Sequence, residues 1–145
     1  MRTTIAIVAY AIALAACSQE RESTTAPPPA AESEVSVYAG ALAGASRPES
    51  DIASDATRKP ADVLRFFGIK PGDIVLEMWA AGGYYTELLS AVVGPDGKVI
   101  AHDNTPSLNF AAETHANRHA GNRLPNVELL VAENNELQLE QDRFD

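Results

Sequence analysis

The second half of the chain alternates short apolar runs with stretches of helical spacing. Three runs have the length of strands, at 74–79, 98–103 and 127–132. The first has the composition of a strand buried on both faces, as in parallel sheets. Between the first two runs, apolar residues recur every three or four positions, which predicts a helix over 84–93. Proline near the start and glycine just past the end predict two further helices, over 60–67 and 105–120, the second with Thr105 as its N-cap.

The order of these elements is helix, strand, helix, strand, helix, strand. Each connection between strands is long enough to hold a helix, so the strands should be parallel and the crossovers right-handed. The sequence therefore predicts an α/β fold, a Rossmann-like parallel sheet with helices on both of its faces.

The N-terminus has a different pattern. Arg2 precedes an unbroken apolar run over 5–16, which is shorter than the roughly 20 residues of a membrane span. A positive charge before such a run is typical of a secretory signal, so residues 1–16 are predicted to be a signal peptide.

The cleavage site of that signal has two interpretations. Ala13-Leu14-Ala15 fits an ordinary signal peptidase, which would leave a soluble periplasmic protein. Leu14-Ala15-Ala16-Cys17 resembles the lipobox of bacterial lipoproteins, in which the cysteine becomes the lipidated N-terminus. Because Cys17 is the only cysteine of the chain, we favour the lipobox, with a lipid anchor holding the protein to the periplasmic side of the cell envelope.

Polar residues and prolines dominate the segment after the cysteine. Such a segment buries too little apolar surface to offset its ordering entropy, so 17–45 is predicted to be a lipidated, disordered linker and 46–145 the folded domain. The formal net charge is −9, with no compensating basic patch, so nucleic acid is not expected as a partner. His115 and His119, one helical turn apart, lack a third ligand, and no metal site is expected.

Candidate binding residues fall where the predicted strands end, which is where open parallel sheets bind their ligands. The first is the small-residue loop Ala80–Gly83, where glycine would let a ligand approach the backbone. The second is Asp103, placed where a nucleotide-type site binds both ribose hydroxyls, and the third is Glu133. Taken singly, the two glycines could form no more than a tight turn. Asp103 could simply start a turn before the next helix.

The run V-L-E-M-W-A-A-G-G-Y-Y-T-E over 75–87 resembles the first motif of class I S-adenosylmethionine-dependent methyltransferases, whose pattern is acid-x-Gly-x-Gly-x-Gly. Glu77 falls on the acid and Gly83 on the last glycine. Together with R-K-P-A-D-V-L-R-F-F-G-I-K-P-G over 58–72, it is more similar still to a group of exported bacterial methyltransferase-like proteins. The resemblance covers 47–145, which corresponds to the N-terminal, cofactor-binding half of that fold. We therefore expect the sheet to be truncated after its third strand, and this chain alone to be inactive.

The resemblance implies S-adenosylmethionine as the cofactor and an unidentified methyl acceptor. The backbone of Ala81, Gly82 and Gly83 would face the methionine and sugar part of the cofactor, and Glu77 would position its amino group. Asp103 would take the ribose hydroxyls, and Glu133 would face the adenine edge. Trp79 and Ala81 replace the first two glycines of the pattern, and Trp79 either lines the adenosine pocket or belongs to the core.

Three functions compete for this sequence. Methyl transfer needs alignment more than a protein nucleophile, which agrees with the lack of any recognisable catalytic residue. A nicotinamide-dependent enzyme would need G-x-G-x-x-G, and the loop lacks that spacing. The alternative kept beside methyl transfer is a non-catalytic, lipid-anchored binding protein on a methyltransferase-like fold.

Overall fold

The computed structural model describes residues 29–44, 46–140 and 143–145. Three strands form one parallel sheet in the order β1-β2-β3: β1 (Ile74–Met78), β2 (Lys98–Asp103) and β3 (Val127–Val131). The helices are α1 (Pro29–Leu42), α2 (Glu49–Arg58), α3 (Pro60–Phe67), α4 (Tyr84–Val93), α5 (Thr105–Phe110) and α6 (Ala112–His119), and a 3-10 turn follows at Ala120–Asn122. A parallel sheet flanked by helices confirms the predicted Rossmann-like α/β fold.

The central strand is the best covered of the three. Every residue of β2 after Lys98 is buried, whereas β1 and β3 are only partly covered. The expectation that the first strand is buried on both faces is therefore wrong. Each outer strand has a neighbour on one side only among the described residues, so Met78 and Val131 are nearly half exposed.

The core lies between the sheet and α4. Leu88 and Val92 of α4 are almost fully buried and cluster with Val99 of β2. Leu64 of α3 and Tyr38 of α1 complete this cluster, and the Tyr38 hydroxyl donates a hydrogen bond to Ile69 O at 2.9 Å. Burying such side chains contributes about 1.5–3 kcal/mol each.

The presence of α1 corrects the predicted linker. The segment assigned to a disordered linker, 17–45, contains this helix, and Tyr38 and Ala41 are buried in the core. These two residues lie three positions apart, and the partly buried Val37 and Leu42 flank them on the same helix. The folded unit therefore begins before residue 46, because a short apolar face packs well even within a polar stretch.

Two other helical features differ from the sequence expectation. The polar helix α2, which has no buried residue, was not predicted. The helix expected over 105–120 is divided at Ala111, whose φ of −101° and ψ of 11° leave the helical range. Its N-cap is Asn104 and not Thr105, because the Asn104 side chain accepts the hydrogen bond from Ser107 N.

The predicted signal peptide and Cys17 lie outside the described residues. Within the part of the chain that the structure describes, no helix is both long and apolar enough to cross a membrane.

Candidate functional site

The loop that joins β1 to α4, Trp79–Gly83, borders a cleft at the carboxyl end of the sheet. Hydrogen bonds from Ala80 N to His102 O (3.0 Å) and from Gly83 N to Ala80 O (2.8 Å) fix its path. The cleft of about 390 Å³ lies between this β1–α4 loop, α2 and α6, and its volume is within the usual range of small-molecule sites. Its lining includes five predicted site residues, which are Glu77, Trp79, Ala81, Gly82 and Gly83.

Glu77 is the ionisable group of this set. Thr86 Oγ1, in the first turn of α4, donates a hydrogen bond to Glu77 Oε2 at 2.6 Å. The pKa of Glu77 is raised to about 7, chiefly by burial and additionally by the nearby Asp103 carboxylate, while the Thr86 hydrogen bonds and the charge of Arg118 oppose the shift. Glu77 therefore changes its charge near neutral pH at the edge of the cleft.

Asp103 lies at the end of β2, as predicted, but it does not line the cleft. Its side chain is fully buried, and both carboxylate oxygens accept hydrogen bonds from Ala81 N, at 3.0 and 2.9 Å. Ser107 Oγ donates a third hydrogen bond at 2.7 Å. Because Asp103 is fully buried and lies outside the lining of the cleft, its ribose role stays a prediction.

Glu133 follows β3 and is exposed. Its Oε1 accepts a long hydrogen bond of 3.4 Å from Thr105 N, at the start of α5. It therefore lies near the helix that follows Asp103 and outside the lining of the cleft. The structure does not bring Glu133 to the cleft that holds the other predicted site residues, and its contact with adenine stays a prediction.

The glycines of the loop face α6 and not the open cleft alone. A Cβ added to Gly83 would lie 2.6 Å from Arg118 Cδ, and one added to Gly82 would lie 3.1 Å from Thr114 Cγ2. Gly83 also has a φ of 76°, which favours glycine. On the Cβ side of these two glycines, the space is therefore occupied by side chains of this chain.

Two residues that replace glycines of the family pattern keep glycine-like backbones. Trp79 has a φ of 63° and Ala81 a φ of 48°. A side chain in this left-handed region costs on the order of 1 kcal/mol, so the loop holds strain at both positions. The Trp79 side chain is 53% exposed and is therefore not a core residue.

Arg118 is a residue that no sequence pattern predicted. It is almost fully buried on α6, and its Nε donates a hydrogen bond to Gly82 O at 2.6 Å. Its two terminal nitrogens pair with Glu87 on α4 and with Asp51 on α2. One side chain thus joins the loop to three helices, a role that only the fold reveals.

The unpredicted helix α2 forms the opposite wall of the cleft. Its Ser50, Ser54 and Arg58 contribute to the lining. The Arg58 guanidinium lies 4.5 Å from the centre of the Tyr84 ring, a cation–π arrangement, while the Tyr84 hydroxyl donates to Asp55 Oδ1 at 2.7 Å. This wall therefore offers a cation and two hydroxyls to a polar molecule.

The histidine pair of α6 does not alter this description. The ring centres of His115 and His119 are 4.4 Å apart, and burial, together with the neighbouring His115, lowers the pKa of His119. Among the described residues, no group of three or more metal-binding side chains comes together.

The pattern of one protein family matches this chain over residues 47–136, that of protein-L-isoaspartate(D-aspartate) O-methyltransferase (PCMT). The match covers more than half of the chain and includes the whole β1–α4 loop. It confirms the methyltransferase resemblance, and S-adenosylmethionine is the cofactor that this family indicates. The finer resemblance to an exported group stays a prediction.

Two solved structures are similar to parts of the chain. A SAM-dependent methyltransferase from Aquifex aeolicus is 38% identical with a TM-score of 0.48, over 59% of this chain and 44% of that protein. A protein-L-isoaspartate O-methyltransferase is 24% identical with a TM-score of 0.41, over 52% of this chain and 23% of that protein. The chain thus spans less than half the length of each of these structures. No curated protein matches it.

Proposed function

The chain belongs to the protein-L-isoaspartate(D-aspartate) O-methyltransferase family, and on that premise we propose that it is the cofactor-binding part of a methyltransferase. In this proposal S-adenosylmethionine binds at the β1–α4 loop, and the domain that carries the site includes α1. The observation that carries the proposal is the cleft itself, which brings Glu77 and the N-terminus of α4 to the same loop.

The chemistry of these groups suits the methionine end of the cofactor, which carries an ammonium and a carboxylate. Glu77 offers a carboxylate to the ammonium. The N-cap of α4 is Gly83, which has no side chain to cap the helix. Because the Thr86 amide already bonds to Glu77, we propose that the Tyr84 and Tyr85 amides and the helix dipole receive the cofactor carboxylate. The bound cofactor supplies an electrophilic methyl group, and the residues of the cleft orient it and exclude water.

Calorimetry on the 145-residue chain tests the proposal directly. S-adenosylmethionine and its demethylated product should both bind, and Glu77→Ala should weaken binding by about tenfold, as expected for a lost charge-assisted contact. Glu136→Ala, which removes an exposed carboxylate outside the cleft, is the matched control. Absence of binding at millimolar cofactor would contradict the proposal.

The acceptor belongs to the proposal as well. The name of the family states its acceptor as isoaspartate in a protein, which carries a carboxyl group. We propose that Arg58, held over Tyr84 beside Ser50 and Ser54, receives the acceptor carboxylate on the α2 wall. Binding of a short isoaspartyl peptide to the cofactor-loaded chain should weaken in Arg58→Gln and persist in Arg65→Gln, whose arginine pairs with Asp62 on the exposed face of α3.

Two observations favour the second candidate, a non-catalytic binding protein. The first is that the Asp103 carboxylate accepts a hydrogen bond from Ala81 N within the protein. The second is that Trp79 and Ala81 carry side chains at positions of positive φ, where glycine is favoured. A chain that has lost cofactor binding would tolerate these changes. The same calorimetry separates the candidates, since this one requires that neither cofactor form binds.

We propose in addition that the protein is exported and anchored by lipid on Cys17. The support is the apolar run over 5–16 and the lipobox-like Leu14–Cys17 at its end. Mass spectrometry of the mature N-terminus should find an acylated cysteine as the first residue. An unmodified peptide that begins at Ala16 would favour the soluble periplasmic alternative.

A further inference from the structure

Two side chains hold the middle of the β1–α4 loop from different elements. Asp103 of β2 accepts from Ala81 N, and Arg118 of α6 donates to Gly82 O. Between them, Gly83 N is tied back to Ala80 O. The peptide that joins Gly82 to Gly83 is therefore held at both its carbonyl and its amide group.

We propose that Arg118 is a positioning residue for cofactor binding, which sets the geometry of the β1–α4 loop through the Gly82 carbonyl. The proposal rests on the proposed function, because it assumes that this loop receives the cofactor. Arg118 also borders the cleft, but its guanidinium is engaged by protein groups. It acts through the backbone that the cofactor would meet.

Arginine is the residue type that these contacts require. Its planar guanidinium presents nitrogens in three directions, toward Gly82 O, Glu87 and Asp51. Asp51 and Glu87, the latter shared with Arg123, compensate the charge of Arg118, a residue that is only 3% exposed, and an unpaired buried charge would be strongly destabilising. A lysine has one ammonium group on a flexible stem and would not hold all three partners.

The neighbouring glycine supports the same inference. Arg118 reaches Gly82 O by passing over Gly83, where its Cδ lies 2.6 Å from the position of a Cβ and its Nε 2.9 Å. Any side chain at Gly83 would push Arg118 away from the loop. The glycine that ends the family motif therefore serves, in this chain, the approach of a buried arginine.

Amide exchange in the cofactor-free chain, monitored by NMR, tests the positioning role. In Arg118→Met, which keeps the packing of the stem, the Gly83 amide should exchange about tenfold faster than in the unchanged chain. The acceleration at Gly83 should exceed any acceleration at amides in the buried middle of α4, such as Leu88 and Leu89, whereas a merely structural loss would accelerate all of them alike. Arg118→Lys provides a second variant if Arg118→Met unfolds.

Arg123→Met is the matched control. Arg123 also pairs with Glu87 and has the same side chain, but its other hydrogen bonds go to Ser46 O and Arg118 O and not to the loop. We expect this variant to accelerate exchange at Gly83 no more than at Leu88 and Leu89. Equal exchange at Gly83 in the variants of Arg118 and Arg123 would overturn the proposal.

Cofactor titration completes the test, with the emission of Trp79, the only tryptophan, as a loop-specific signal. The affinity for S-adenosylmethionine should fall about tenfold in Arg118→Met and stay within about twofold in Arg123→Met. Unchanged affinity in Arg118→Met would overturn the positioning role. Failure of the unchanged chain to bind would instead overturn the proposed function, whatever the exchange at Gly83.

Discussion

The two sides of the β1–α4 loop differ in how they are filled. On the α6 side, Arg118 and Thr114 occupy the space that glycine leaves. From β2, Asp103 accepts the hydrogen bond of Ala81 N. On the cleft side, Glu77 and Trp79 border open space. A glycine-rich motif can therefore have two uses. Its small residues here leave room for the protein's own side chains on one side, and they border the open cleft on the other.

The largest expected effect is a Cβ on the filled side. Gly83→Ala should lower the free energy of unfolding by about 3 kcal/mol, because it adds a clash with Arg118 to the strain of a positive φ. Gly121→Ala, with a φ of 65° and nothing within 4 Å of the added Cβ, should cost only about 1 kcal/mol. Equal losses in urea unfolding would show that the α6 side is not closely packed.

The ionisable group on the open side should be visible as a pH dependence. The pKa of Glu77 is about 7 in the folded protein, above its ordinary value of 4.5. The folded state therefore retains a proton that the unfolded chain releases, so stability should fall as pH rises from about 4.5 to 7 and then level off.

Glu77→Gln removes this titration and keeps an acceptor for Thr86. Its stability should exceed that of the unchanged chain by on the order of 1–2 kcal/mol at pH 8, and the difference should shrink toward pH 5. Glu136→Gln, at an exposed carboxylate, should behave like the unchanged chain. A gain for Glu77→Gln that is the same at both pH values would contradict the raised pKa.

Relieving the backbone strain in the loop should have a smaller effect, which raises stability. Ala81→Gly should raise the free energy of unfolding by about 0.5–1 kcal/mol, because glycine adopts the φ of 48° without a Cβ penalty. Ala80→Gly next to it should lower stability, since Ala80 is buried and has no positive φ. Thermal unfolding of the two variants measures both changes in stability. A loss of stability in Ala81→Gly would contradict the strain at Ala81.

The smallest effect belongs to the α2 wall of the cleft. Ser54 lines the open side, and its hydroxyl donates only to Ser50 O within its own helix. Ser54→Ala should change stability by less than about 0.5 kcal/mol. A loss above about 1 kcal/mol in denaturant titration would mean that this wall is packed as tightly as the α6 side.

The sequence by itself determined the elements whose signals are local. Apolar runs and helical spacing predicted β2 at 98–103 and α4 at 84–93 with the observed bounds, and Pro60 with Gly68 did the same for α3. The small residues of Ala80–Gly83, at the end of the first predicted strand, also predicted which loop would border a cleft. Such patterns can be read directly because each element depends on residues within a few positions of one another.

Only the tertiary structure decided the contacts that span the chain. The pairing of Arg118 with Gly82, Glu87 and Asp51 joins residues 31 to 67 positions apart, and charged side chains carry no periodic signal that would indicate such partners. The same holds for α2, which has no buried residue and whose Asp51 and Asp55 pair with buried arginines. The burial of Asp103 likewise depends on where Ala81 N points, a consequence of how the loop packs against α6 and β2.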